Sequence, residues 1–316
     1  VSGPVAMPVP ALHRPRRLVP GARAAVVAPS GPVPEDRLLA GLDILRGWGL
    51  EPVVAPHVLD THEELGYLAG TDADRAADLQ RAWCDPDVDA VLCARGGYGA
   101  LRMVDLLDWR RMRAARPKVF VGYSDITTLH EAFADRLGVS TLYGPMVAAA
   151  DFLDNARARE HLRATLFEPE TVQTIAAGDG ARALVPGTVR GVTLGGCLSL
   201  LAADLGSPGA RRSARGGLLC LEDVGEESYR IDRAVTQLVR GGLLDGVSGV
   251  LLGSWAECDG PDVRNLLADR LGGLGVPVVE EFGFGHCRGA LTVPLGVGAE
   301  LAAEDGSLRL DVPALS

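Results

Sequence analysis

Hydrophobic residues fall into two alternating patterns along the first half of this chain. Short apolar runs, rich in valine and alanine, occupy positions 24–28, 51–55, 90–94 and 119–121. They are too short for helices and lie between turn-forming or charged residues, so they read as buried strands. Between them, apolar residues recur every three or four positions. Leu38, Leu42, Leu45 and Trp48 do so over 35–48, closed by Gly49. Residues 72–82 and 101–107 read the same way, and Ile126, Leu129, Phe133 and Leu137 mark a helix over 126–137. Alternation of this kind predicts an α/β fold with a parallel sheet and helices on both faces.

The pattern changes after residue 150. Residues 154–167 are charged with helical spacing, and 176–181 are alanine and glycine around one aspartate. We expect an inter-domain linker over 154–184, a first domain over 21–153 and a second over 185–316. In the second domain the pattern predicts strands at 187–196, 217–221, 247–252 and 276–279. Helices are expected at 198–205, 229–240 and 262–271, with closing strands or a hairpin between 291 and 311. Residues 1–20 carry Pro4, Pro8, Pro10, Pro15 and Pro20 with a basic cluster, and read as a disordered leader. Their apolar residues precede the basic ones, the reverse of a secretory signal. With no long apolar run to span a bilayer, a cytoplasmic location is expected.

Composition narrows the class. A chain of 316 residues with 47% hydrophobic and 23% charged positions is long enough for two cores. Its net charge of −10 argues against nucleic-acid and membrane-surface partners. The six cysteines, at 84, 93, 197, 220, 258 and 287, form no C-x-x-C pair. They read as reduced thiols, and neither a metal nor a cofactor is expected.

The chemistry concentrates at strand ends. The run 118–121 passes through Gly122 and Tyr123 to Ser124, just where the next helix begins. A serine on such a turn is raised clear of the sheet, beside the positive end of a helix. The simpler reading makes Ser124 or Asp125 a helix cap. Arg95-Gly-Gly-Tyr-Gly99 follows another strand, so the two loops face each other if their strands are neighbours. A serine nucleophile needs a base. Of six histidines, His286 stands apart: it follows a strand in a glycine-rich loop, whereas His130 shares the serine's helix and points away from its turn. Glu222 ends the buried run 217–221 and is the preferred carboxylate partner, with Asp223, Glu226 and Glu227 as competitors. An α/β-hydrolase elbow would want glycine at 126, where isoleucine stands. A two-lobed solute receptor without chemistry is the remaining non-enzymatic reading.

Four ordered motifs carry a resemblance. Arg95-Gly-Gly-Tyr-Gly-Ala-Leu-Arg102, Val121-Gly-Tyr-Ser-Asp-Ile-Thr127, Leu221-Glu-Asp-Val-Gly-Glu226 with Tyr229-Arg-Ile-Asp-Arg233, and Phe284-Gly-His-Cys287 followed by Pro294-Leu-Gly-Val297 occur in sequence. Together they resemble the LD-carboxypeptidase family of serine peptidases. The resemblance implies a Rossmann-like N-terminal domain and a β-rich, swivelling-barrel-like C-terminal α/β domain. It makes Ser124 the nucleophile, His286 the general base and Glu222 its partner. Backbone N–H groups of Asp125 and of Gly96 or Gly97 become the oxyanion hole. Tyr98 and the arginines Arg95, Arg233 and Arg288 become candidates for holding a substrate with carboxylates. The implied reaction cleaves the L,D bond of a muropeptide tetrapeptide and releases D-alanine. A homodimer is implied too. The alternative within the family is a peptidyl- or aminoacyl-nucleotide hydrolase of microcin C self-immunity. One departure is Cys197, where members often carry asparagine after Gly195-Gly196.

Overall fold

The computed structural model describes residues 7–178, 180–258 and 260–316. Five strands come from the first half: β1 Arg23–Val27, β2 Glu51–Val54, β3 Ala90–Cys93, β4 Val119–Gly122 and β5 Thr141–Tyr143. Next come β6 Thr174–Ala176, β7 Arg182–Val185, β8 Thr188–Cys197 and β9 Gly217–Val224. The last five are β10 Gly249–Ala256, β11 Val278–Glu280, β12 Val293–Leu295, β13 Gly298–Ala302 and β14 Ser307–Leu310.

The first sheet has the order β12-β5-β4-β3-β1-β2. Strands β1 to β5 are all parallel, as buried apolar runs joined by helices demand. The spatial order 2-1-3-4-5 is doubly wound and reverses between β1 and β3. The loops leaving those two strands both lie at the carboxyl edge, at the crevice where such sheets bind ligands. Strand β4 lies beside β3, so Ser124 emerges next to the glycine loop 95–99, as the neighbouring-strand argument requires.

The second sheet runs β6-β14-β13-β8-β9-β10-β11-β7. Its centre, β8 to β11, is parallel; β13, β14 and β6 on one side and β7 on the other are antiparallel. Glu222 lies on β9, in register with Cys197 of β8. One core fills the first sheet and the junction, reaching Phe282, Phe284 and Leu301; a second lies under the helix Ser228–Arg240.

Three expectations change. The disordered leader of residues 1–20 is corrected from residue 7 onward; residues 1–6 lie outside the described residues. The amides of Val9 and Leu12 donate to Arg215 and Gly296 carbonyls at 2.8 Å, and Leu18 is 2% exposed. Proline removes donors and regular structure, but the remaining amides find acceptors on the protein body. Residues 154–184, expected as the inter-domain linker, hold the helix their spacing marks but also contribute strands to the second sheet. They form a helix, Ala156–Phe167, whose cap Asn155 accepts from Ala158 N, and then β6 and most of β7, the two ends of the second sheet. Finally, β12 leaves the second half and pairs antiparallel with β5, Val293 opposite Tyr143. The segment between β11 and β12 therefore crosses from one sheet to the other, and it carries His286. Among the described residues no helix is long and apolar enough to cross a membrane.

Candidate active site

Ser124 has φ +63, a left-handed conformation that costs a non-glycine residue about 1–2 kcal/mol. Packing enforces it. Gly122 lets Ile126 fold back over the strand end: a Cβ there would lie 2.8 Å from Ile126 Cγ2. His130 Nε2–H donates to the Gly122 carbonyl at 2.9 Å, and its Nδ1 accepts from Thr141 Oγ1 at 2.8 Å. Both ring nitrogens are thus occupied, and burial pulls the His130 pKa down to about 4. His130 is a structural brace behind the turn.

The facing loop comes equally close. A Cβ on Gly96 would lie 3.2 Å from Ser124 Oγ. Gly31 N donates to the Gly96 carbonyl at 3.0 Å, tying the loop after β1 to the loop after β3. The buried Arg75 does the same from below, its Nη1 donating to Pro29 O at 2.6 Å and Gly99 O at 2.9 Å. Asp125 does not cap its own helix, which corrects that reading. Its Oδ2 accepts from Ser30 Oγ at 2.6 Å and from Ala100 N at 2.8 Å, so it secures both crevice loops. Burial raises its pKa. Among the described residues neither Asp125 N nor Gly97 N has a hydrogen-bond acceptor.

The second half supplies a histidine and a carboxylate in contact. His286 Nδ1–H donates to Glu222 Oε2 at 2.7 Å, and the His286 amide donates to the same oxygen at 3.1 Å. Gly285 makes this possible: its φ is +83, and a Cβ would overlap the Glu222 carboxylate. Ser254 Oγ holds the His286 carbonyl at 2.8 Å. Burial is the largest influence on His286 and lowers its pKa. The hydrogen bond to Glu222 and the charges of Glu222, Asp223 and Asp151 outweigh it, and the net shift is upward. The adjacent Cys287 is not a rival nucleophile, because burial pushes its thiol up to about 12.

Sequence reasoning missed two residues here. Tyr143 O–H donates to Glu222 Oε1 at 2.5 Å and accepts from Ser124 N at 3.2 Å. Tyr123 O–H donates to Asp151 Oδ2 at 2.9 Å, and its ring lies 4.9 Å from that of His286. Strand β5 has only three residues, too few for periodicity to register. The remaining signal was a tyrosine, a residue that seeks a polar partner when buried.

The Cys197 position keeps its polar role in part. The Cys197 thiol donates to Asp223 Oδ1 at 3.3 Å, and its amide donates to Thr127 Oγ1 at 2.9 Å. The candidate binding residues do not all converge. Arg95 Nη1 donates to Pro32 O at 2.7 Å beside the exposed, mutually tilted Tyr98 and Tyr67 rings. Arg288 is exposed two residues after His286, with no ion pair among the described residues. Arg233 lies over the Tyr229 ring on an exposed helix face, with no contact to Ser124, Glu222 or His286 among the described residues.

Fold and site together describe a two-sheet α/β protein in which Tyr143 links the turn of Ser124 to a His286–Glu222 pair. Residues 24–144 match the LD-carboxypeptidase N-terminal domain and residues 190–301 the LD-carboxypeptidase C-terminal domain; the chain belongs to the LD-carboxypeptidase family. It is 75% identical over 305 residues to a Streptomyces coelicolor protein described as a carboxypeptidase, covering 96% of this chain and 98% of that one. The murein tetrapeptide carboxypeptidase of Pseudomonas aeruginosa is 32% identical over 289 residues, 88% of this chain and 92% of its own. Among solved structures, the muramoyltetrapeptide carboxypeptidase of Oxalobacter formigenes superposes with a TM-score of 0.78 at 28% identity, covering 92% of this chain and 100% of that one. The microcin self-immunity protein MccF shares the fold, with a TM-score of 0.86 at 22% identity over 96% of this chain and 99% of that one.

Proposed function

We propose that this protein is a serine carboxypeptidase that cleaves the L,D bond of a muropeptide tetrapeptide and releases D-alanine. The observation that carries the reading is the strained Ser124, joined through the Tyr143 hydroxyl to the carboxylate of a His286–Glu222 pair. With Nδ1–H committed to Glu222, neutral His286 keeps its Nε2 lone pair for a proton. Ser124 Oγ attacks the carbonyl carbon before the C-terminal residue, and its proton passes to Nε2. The N–H groups of Asp125 and of Gly97 or its neighbour Gly96 take up the oxyanion charge, worth about 3–4 kcal/mol per donor. The C–N bond breaks, the leaving amine takes the proton from His286, and D-alanine departs. Water then gives a proton to His286 and attacks the acyl-enzyme; that proton returns to Ser124.

Among the described residues no hydrogen bond joins Ser124 to His286. Such contacts tighten when a substrate is bound. Arg288, exposed beside His286, is the favoured partner for a substrate carboxylate, with Arg95 across the crevice as the other.

A nucleotide substrate would need an aromatic side chain to stack on its base. In 151–186 the aromatics are Phe152, buried against Trp48 at 5.4 Å, and Phe167, packed on the core. Neither is available, which weakens the nucleotide reading for this segment. The test is D-alanine release from L-Ala-γ-D-Glu-meso-diaminopimelate-D-Ala, run beside an aminoacyl-sulfamoyl nucleoside. We expect turnover of the tetrapeptide and its near-complete loss in Ser124→Ala. Preferred turnover of the nucleoside would transfer the protein to the self-immunity reading, and full activity in Ser124→Ala would end the serine mechanism.

A further inference from the structure

We propose that Tyr143 is a positioning residue of the site: its hydroxyl ties the Glu222 carboxylate to the Ser124 main chain and thereby tunes the basicity of His286. This rests on the Ser124–His286–Glu222 reading above.

A phenol has one hydrogen to give and lone pairs to accept with. Tyr143 uses both, donating to Glu222 Oε1 at 2.5 Å and accepting from Ser124 N at 3.2 Å. One atom thus bridges the nucleophile's turn and the carboxylate of the other half. Its place is rigid. Tyr143 is 1% exposed and ends β5, in register with Gly122 of β4 and Val293 of β12. Its ring is packed by Phe284, Tyr123 and His130. Gly196, at φ +145, clears the remaining side: a Cβ there would lie 2.9 Å from Tyr143 Cε2.

Two consequences follow for the chemistry. With its N–H occupied, Ser124 is not an oxyanion donor, which leaves that work to Asp125 and the glycine loop. The Glu222 oxygens also divide their labour, Oε2 to His286 and Oε1 to Tyr143. Donation from the phenol draws carboxylate charge towards Oε1 and moderates its pull on a protonated His286. Removing the hydroxyl leaves Oε2 with its two donors from His286 and strengthens that pull. The other groups around the pair stay in place: Asp223 on β9, Asp151 and Tyr123 over the His286 ring, Cys197 on β8 and Cys287 in the loop.

The experiment compares wild type, Tyr143→Phe, and protein carrying 3,5-difluorotyrosine at 143, a more acidic and stronger donor with the same ring. The readouts are kcat and KM across pH, with the His286 titration followed by NMR. For Tyr143→Phe we expect kcat to fall about tenfold or more with KM within about threefold. We expect the His286 titration and the acid limb to rise by about half a pH unit. Difluorotyrosine should move both downward, and it decides the matter if Tyr143→Phe folds poorly. A His286 titration that stays fixed across all three proteins would reduce Tyr143 to a structural residue and overturn the proposal. The NMR readout needs no substrate, so a failed serine mechanism and a failed Tyr143 coupling give different results.

Discussion

His286 couples activity to stability because Glu222 acts on it in both roles. Its pKa in the folded protein is raised, whereas the unfolded chain returns it to about 6.5. Catalysis needs the neutral ring, so the acid limb of kcat/KM should lie above about pH 6.5. Stability runs the other way. A raised folded pKa stabilises the protein fully below the unfolded value, and that contribution fades as pH rises through the folded value. Between those two values activity should climb while the urea midpoint falls. In Glu222→Gln the charge is gone and burial dominates, so we expect the limb to move down and kcat to drop about a hundredfold or more. A limb unmoved in that variant would remove Glu222 from the mechanism. At this scale the partners in the His286–Glu222 contact and the Ser124 turn were legible, because the histidine stood in a glycine-rich loop after a strand, the glutamate closed the buried run 217–221 and the serine lay between a strand and a helix. Asp125 was not. Its partners, Ser30 and Ala100, are far away in sequence, and only the folded crevice brings them to its carboxylate.

Two loops decide whether the site assembles, and each has a glycine that a side chain would spoil: Gly96 against Ser124 and Gly285 against Glu222. A methyl group on Gly285 would strike Glu222 from a backbone already at φ +83. We expect Gly285→Ala to cost about 1–3 kcal/mol of stability and to lower kcat by about a hundredfold or more, as the imidazole is pushed off its carboxylate. Melting temperature and kcat should fall together; wild-type kcat in that variant would contradict the tight approach of loop and carboxylate. Elements marked by a continuous apolar run or by several helical turns were legible. The helix 35–48 and the strands 90–94 and 119–121 coincide with Glu35–Gly47, β3 and β4 to within a few residues. The short β5, β6 and β7 were not, and of β12 only its strand character was. The first three carry no continuous apolar run, and the partners of all four come from distant parts of the chain.

The whole molecule places the serine at the edge of one sheet, Glu222 on the other and His286 on the segment that crosses between them, so the fit between halves controls the site. Thr127, in the first turn after Ser124, accepts the Cys197 amide across the boundary at 2.9 Å, and a Cβ on Gly196 would collide with it. Thr127→Val keeps the shape and leaves a buried N–H without an acceptor. We expect a loss of about 1–3 kcal/mol in urea unfolding and a lower kcat from the loosened alignment. Unchanged unfolding would mean the junction does not depend on this bond. The crossing loop and β12 tie the halves further, as do residues 7–18, which bridge Arg215, Gly296 and Val139. By itself the sequence determined the alternation of strands and helices, the parallel first sheet, and the residue types at its strand ends, because local periodicity and burial dictate these. Only the tertiary structure decided that β12 returns to the first sheet, that Glu222 and His286 touch, and that Tyr143 joins them to Ser124. Those contacts join residues separated by up to 150 positions, and nothing local in a chain encodes which distant strand will lie alongside.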